Sequence, residues 1–205
     1  DQVAHHIHAR LDPHARYEQA LVATDAPYHL QRTTLDLQGH HATAHAASLL
    51  LAAGQALEQQ VRTVHHAAHT TSQVEALALA SGGARVVANA HTRIAPGADE
   101  AAVRQRLTGI PLAGQPRLVL RPHLEILHDQ VQAAHGATWG ALPEEALFYA
   151  RQRGLDDVRA RALMAHALLE RCLDHPELLA TWLDSGWLAQ AIARQLASAQ
   201  EVHHG

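Results

Sequence analysis

The chain has 205 residues, 20 acidic and 16 basic ones for a formal charge of -4, 19 histidines and a single cysteine. Every basic residue other than histidine is an arginine, which excludes a P-loop lysine, a Schiff-base lysine and a kinase lysine together. The lone Cys172 allows neither an internal disulfide nor a four-cysteine cluster cage, so any cluster or soft metal must be shared with another chain. The charge balance leaves no basic footprint for nucleic acid, and no apolar run approaches a membrane span, which places the chain in solution. Asp1, in place of an initiator Met, implies a fragment or a processed chain.

The first clear pattern in chain order is the alternation of Thr33, Leu35 and Leu37 with Thr34, Asp36 and Gln38, which predicts a half-buried strand. From Ala42 to Leu57 the composition turns to Ala and Leu. Ala46, Leu49, Leu50, Ala53 and Leu57 fall at helical spacing, so composition alone predicts a helix there. Val86, Ala88, Ala90, Thr92 and Ile94 then alternate with Arg85, Val87, Asn89, His91 and Arg93, between a Gly82-Gly83 turn and Pro96-Gly97. Further turn signals stand at Gly109, Gly114 and Pro116. Strand-turn units recurring every roughly 20 to 30 residues fit a solenoid that stacks coil on coil.

The character changes after Pro143. Pro143 to Arg153 reads as an amphipathic helix, with Glu144 and Glu145 at the positive end of its dipole and Gly154 placed for a left-handed cap. Ala146, Leu147 and Ala150, with Tyr149 at the edge, form the face that docks on the body, which leaves Phe148, Arg151 and Gln152 toward the other face. An exposed aromatic beside an arginine is the usual chemistry of an interface anchor; the competing reading buries Phe148 against Trp182 or Trp187. A second helix begins at Asp156 or Asp157 with Val158, Leu163, Ala167, Leu168, Cys172 and Leu173 as apolar positions and Arg159 and Arg161 exposed. Cys172 reads as a small core residue there. A third helical run, Pro176 to Ala199, carries Leu179, Trp182, Leu183, Trp187, Leu188, Ile192 and Leu196.

Histidines cluster at His5-His6-x-His8, at His40-His41 with His45, at His65-His66 with His69, and at His203-His204. Imidazole is the commonest metal ligand, so His65, His66 and His69 are candidates for a metal site. The plainer alternative is that histidine fills exposed polar positions in a lysine-free composition. No cluster forms a complete ligand set such as His-Glu-x-x-His.

One stretch is more specific than any of these patterns. Pro122-His123-Leu124-Glu125-Ile126, then His135-Gly136-Ala137-Thr138, Gly140, Leu142, Glu144 to Tyr149, Arg151, Arg153 and Gly154, resembles the carboxy-terminal signature of the SufB/SufD family, SufD more than SufB. Val61 to Ser72 resembles a coil of the same family, and Leu49 to Gly54 its turn between coils, which overrides the helix predicted from composition. The resemblance implies a mainly β fold, a right-handed parallel β-helix over residues 1–137, followed by a small α-helical C-terminal domain over 138–205. It implies a non-catalytic scaffold of iron-sulfur cluster assembly in the cytoplasm. The cluster would be transient and shared with a SufB-like subunit that pairs through the β-helix, with His135 as this chain's residue at the shared site. A SufC-like ABC ATPase would dock on the C-terminal helices through Phe148, Arg151 and Gln152, and a homodimer would form when SufB is absent. No nucleic acid or membrane partner is implied. The family commonly carries a cysteine two residues before the signature histidine, where this chain has Ala133. Its Asn-rich segment is replaced by Arg104-Gln105-Arg106-Leu107. Two alternatives draw on other classes: a β-helix carbohydrate-active enzyme, for which Asp36, Glu58 and Glu75 are scattered rather than paired, and a stand-alone His-rich metal-binding module.

Overall fold

The computed structural model describes residues 2–24, 28–172, 186, 187, 190–194 and 196. Ten strands come first: β1 (Gln2–Leu11), β2 (Arg16–Ala23), β3 (Tyr28–Leu37), β4 (Thr43–Ala53), β5 (Ala56–His65), β6 (Thr71–Gly82), β7 (Arg85–Ile94), β8 (Ala101–Gly114), β9 (Arg117–Ile126) and β10 (Val131–Trp139). Helices α1 (Glu144–Gln152) and α2 (Asp157–Cys172) follow. Odd strands pair only with odd ones in the order β1-β3-β5-β7-β9, and even with even in the order β10-β8-β6-β4-β2. Every pairing is parallel. Two consecutive strands therefore make one coil, and five coils stack into a β-solenoid. Register partners such as Gln2 and Tyr28, or Arg85 and Arg117, put successive coils 26 to 32 residues apart.

Two kinds of corner turn the chain between the sheets. Gly54, Gly82 and Gly114 take positive φ at the even-to-odd corners, where a side chain would be strained. At the odd-to-even corners the same left-handed conformation falls on His14, His41, His69 and Glu100, with φ of 62°, 61°, 58° and 53°. Each of these four donates its backbone N–H to the next coil, to His40 O, Ala68 O, Asp99 O and Gln130 O, so the intercoil ladder continues round the bend. Histidine enters this region more readily than branched residues do, which gives part of the histidine clustering a structural cause. The rings of His14, His41 and His69 stack with centroids 5.1 and 4.8 Å apart.

The lumen is filled by Leu35, Leu37, Leu50, Leu107 and a large share of alanines, among them Ala44, Ala46, Ala76, Ala78, Ala88 and Ala90. A second apolar layer lies on the outside of the even sheet. There Leu49, Leu51, Leu77, Leu79, Ile110 and Leu112 pack against Leu147 and Ala150 of α1, Ala160, Ala162, Ala165 and Leu169 of α2, and Ile192 and Leu196.

That second layer explains the segment whose composition predicts a helix. Strands β4 and β6 are buried on both faces, so they lose the apolar-polar alternation and read as continuous Ala-Leu runs. Residues 49 to 53 are strand, and of the stretch Leu49 to Gly54 only Gly54 enters the turn. Gly109 is likewise no turn; it lies inside β8, where an added Cβ would come within 3.3 Å of Leu118 and Leu120 side-chain carbons.

In α2 Val158 and Leu168 pack on the core as predicted, but the rest of the apolar face differs. Ala160, Ala162, Ala165 and Leu169 are buried, whereas Leu163 is 49% exposed. Arg161 is half-buried, its guanidinium bonded to Leu112 O of the sheet. Alanines let the helix axis come close to the strands, so the packed face follows small residues rather than the largest ones. The helix starts as expected, with Asp156 Oδ1 accepting the Arg159 N–H at 2.7 Å. Helix α1 ends with Gly154 at φ 88° and the Leu155 N–H donated to Ala150 O, a Schellman cap. Of the third helical run, Leu179, Trp182, Leu183 and Leu188 lie outside the described residues, as do the side chain of Cys172 and the pair His203-His204.

Candidate functional site at the open last coil

Among the described residues, strand β10 is an edge strand, hydrogen-bonded only to β8. Its register sets the direction of its side chains. His135 pairs with Gln105, Gln105 with Val74, Val74 with Ala46 and Ala46 with Gln19. Residues in register on parallel strands point to the same side, and the other four members of this row are buried, so the row faces the lumen. His135 is its last member. It is exposed because no sixth coil covers it, and it lies in mid-strand rather than at a strand-to-helix junction. Ala133, Ala137 and Trp139 share its side, with Trp139 60% exposed. Ile126 and Leu127 of the same coil are 45% and 44% exposed, so apolar surface surrounds this mouth.

Gln105 is a residue of this site that motif reading passes over. It is buried directly beneath His135 in register. Its Nε2 donates to Thr92 Oγ1 at 2.8 Å and to His123 O at 3.1 Å, while Oε1 has no hydrogen-bond partner among the described residues. The signal in the sequence is the alternation of Val103, Gln105 and Leu107, which places a polar group in an otherwise apolar inward row.

The three clustered histidines do not come together. His65 is fully buried, its Nδ1 2.8 Å from Thr70 Oγ1 and its Nε2 2.8 Å from Ser72 Oγ. Thr70 already donates its hydroxyl to Ala67 O, so it accepts from Nδ1–H, and Ser72 donates to Nε2. Both nitrogens are thus occupied, and burial, with His66 adding to it, lowers the pKa to about 4. His66 points outward toward Asp36 at 4.0 Å, and His69 lies 3.1 Å from Glu100 at the corner. Among the described residues, no group of three or more His, Cys, Asp or Glu is placed to hold a metal ion.

The carboxylates are as dispersed as the sequence suggested. Asp36 is bonded to His8 at 2.7 Å and Glu58 to the Gln60 amide at 2.5 Å, both on the odd sheet. Glu75, fully buried, lies on the even sheet with Arg106 and with His45 at 3.0 Å.

Helix α1 presents two faces. Leu147 and Ala150 are buried, whereas Phe148 is 63% exposed and Arg151 and Gln152 lie beside it in solvent. Arg151 Nε donates to Leu147 O at 3.3 Å and Nη1 stands 3.6 Å from Asp157 Oδ1, which orients it toward the start of α2. Tyr149 does not join the docking face. It is exposed, with Arg153 4.9 Å above its ring and bonded to its hydroxyl. Among the described residues, no helix is long and apolar enough to cross a membrane.

A 63-residue stretch, 31% of the chain, is 40% identical to an iron-sulfur cluster assembly SufBD family protein of Synechocystis. A 74-residue stretch, 36% of the chain, is 35% identical to the iron-sulfur cluster assembly protein SufD of Escherichia coli. Over 148 residues, 70% of the chain, it is 30% identical to the SufD of Plasmodium berghei. The chain covers only 14%, 16% and 11% of these three relatives. Residues 2–168 match the family model described as SUF system FeS cluster assembly, SufBD core domain, and the chain belongs to that family.

Proposed function

We propose that this chain is a non-catalytic scaffold subunit of a SUF iron-sulfur cluster assembly complex. The observation that carries the reading is the match of residues 2–168 to the SufBD core, joined to the signature histidine, His135, on the inward row of an uncovered last coil. A SufB-like subunit covers that coil and completes the cluster site, with the cluster as cargo held between the chains. The unpaired edges of β9 and β10 and the exposed Trp139, Ile126 and Leu127 support coverage there. With Ala133 in place of a cysteine, the soft ligands come from the partner, and His135 supplies an imidazole nitrogen from this side. The C-terminal helices, which follow the end of β10 at Trp139, form the docking side for a SufC-like ABC ATPase, met by Phe148, Arg151 and Gln152. Alone, the chain forms a homodimer through the same last coil.

Copurification with untagged SufB-like and SufC-like subunits tests the assembly, and His135→Ala tests the site. An exposed position of this kind should change stability by no more than about 0.5 kcal/mol. The variant should still copurify but lose cluster assembly in the reconstituted complex. Assembly at the wild-type level with His135 removed would end its assignment as a ligand.

A further inference from the structure

The outer face of the odd sheet holds a second, separate arrangement. Register aligns His6, Arg32, Gln60, Asn89 and Arg121 in one row across the five coils. The next row is His8, Thr34, Arg62, His91 and His123. Neighbouring strands stand about 4.8 Å apart and same-face residues along a strand about 7 Å apart, so these side chains form a regular polar lattice. The carboxylates of this face are already engaged. Asp36 accepts from His8 at 2.7 Å, Glu125 stands 3.5 Å from Arg93, and Glu58 accepts from Gln60. Arg32, Arg62 and Arg121 make no ion pair among the described residues. In a chain of net charge -4, three guanidinium groups without an ion pair therefore stand on this one face.

Arg32 and Arg62 line a depression with His6, Gln60, Asn89 and His91, with no carboxylate in its wall. Arg32 is held in place, because its Nε donates to Gln60 Oε1 at 3.1 Å while Glu58 fixes the Gln60 amide. His91 Nε2 is buried and makes no hydrogen bond among the described residues; Glu125 stands 3.9 Å from it. Burial first, then His123 and Arg62, lowers the pKa of His91, against an opposing pull from Glu125. We infer that this depression binds a dianionic phosphoryl group. The two guanidinium forks of Arg32 and Arg62 match phosphate oxygens, and the Asn89 amide and the His91 ring offer further donors. The site lies outside the solenoid wall, whereas His135 is on the inward row of the other sheet, so the two readings stand or fall separately.

Calorimetric titration of the purified chain with inorganic pyrophosphate, ADP and adenosine tests this. Pyrophosphate and ADP should bind at millimolar concentration or below, and adenosine should not. Equal affinity for the two assigns recognition to the phosphoryl group alone, and tighter ADP binding adds a nucleoside contact. Arg32→Gln and Arg62→Gln should each weaken binding about tenfold, as expected for loss of one charge-assisted pair. Arg62→Lys, which keeps the charge but not the fork, should fall between, and Arg153→Gln should bind like the wild type. Circular dichroism should be unchanged in all four variants. No binding by the wild type, wild-type affinity in Arg32→Gln and Arg62→Gln, or adenosine binding as tightly as ADP would overturn the assignment.

Discussion

His65 is enclosed between two hydroxyls in the lumen, and its pKa falls from 6.5 to about 4 through burial first and the neighbouring His66 second. The unfolded chain therefore binds a proton here at higher pH than the folded one. Stability is at its full value above pH 6.5 and falls as pH drops toward 4, by up to about 3 kcal/mol from this residue. Denaturant unfolding across that window should show the decline. His65→Ala should cost about 3 kcal/mol at neutral pH, from the cavity and two hydroxyls left unpaired, and should flatten the decline. A variant with wild-type acid sensitivity would show that other groups set it. His65 and His135 thus differ for one reason: the first sits in a closed middle coil and the second in an open last one.

At the scale of elements, α1 offers a paired contrast on one helix. Leu147 is buried between the even sheet and α2, so Leu147→Ala should lower stability by about 2 to 5 kcal/mol. Phe148, one residue on, should leave stability almost unchanged when truncated, and its loss should weaken ATPase binding by about 2 kcal/mol or more. Urea denaturation and a binding titration separate the two; unchanged ATPase affinity in Phe148→Ala would retire the anchor assignment. The corners give a sharper test. A Cβ on Gly39 would stand 1.9 Å from Pro13 N and 2.2 Å from Asp12 C, both backbone atoms of the coil below. Gly39→Ala must therefore push two coils apart, and a loss of about 3 kcal/mol or more is expected in thermal unfolding.

For the molecule as a whole, each coil contacts mainly its neighbours, so protection is set by position in the stack. Amide hydrogen exchange should be slowest in β4, β6 and β8, which have strands on both sides and helices over one face. It should be fastest in β1, β2, β9 and β10 at the two open ends. Adding a SufB-like subunit should slow exchange in β9 and β10 and leave β1 and β2 unchanged. Protection confined to α1 and α2 would move the partner surface away from the last coil.

Much of this was determined by the sequence alone. The alternation at Thr33 to Leu37 and Val86 to Ile94, the turn glycines Gly54, Gly82 and Gly114, the caps at Asp156 and Gly154 and the signature around His135 are local signals, set by residues near in sequence. The tertiary structure decided what depends on distant cover. Whether β4 is a strand or a helix turned on α2 burying its outer face, because a strand covered on both sides carries no alternation to read. The packed face of α2 turned on how closely its alanines allow it to approach the sheet. Which histidine is sealed and which is open turned on the coil each occupies, and the row of Arg32, Gln60 and Asn89 exists only because parallel register brings together residues 28 and 29 positions apart in the chain.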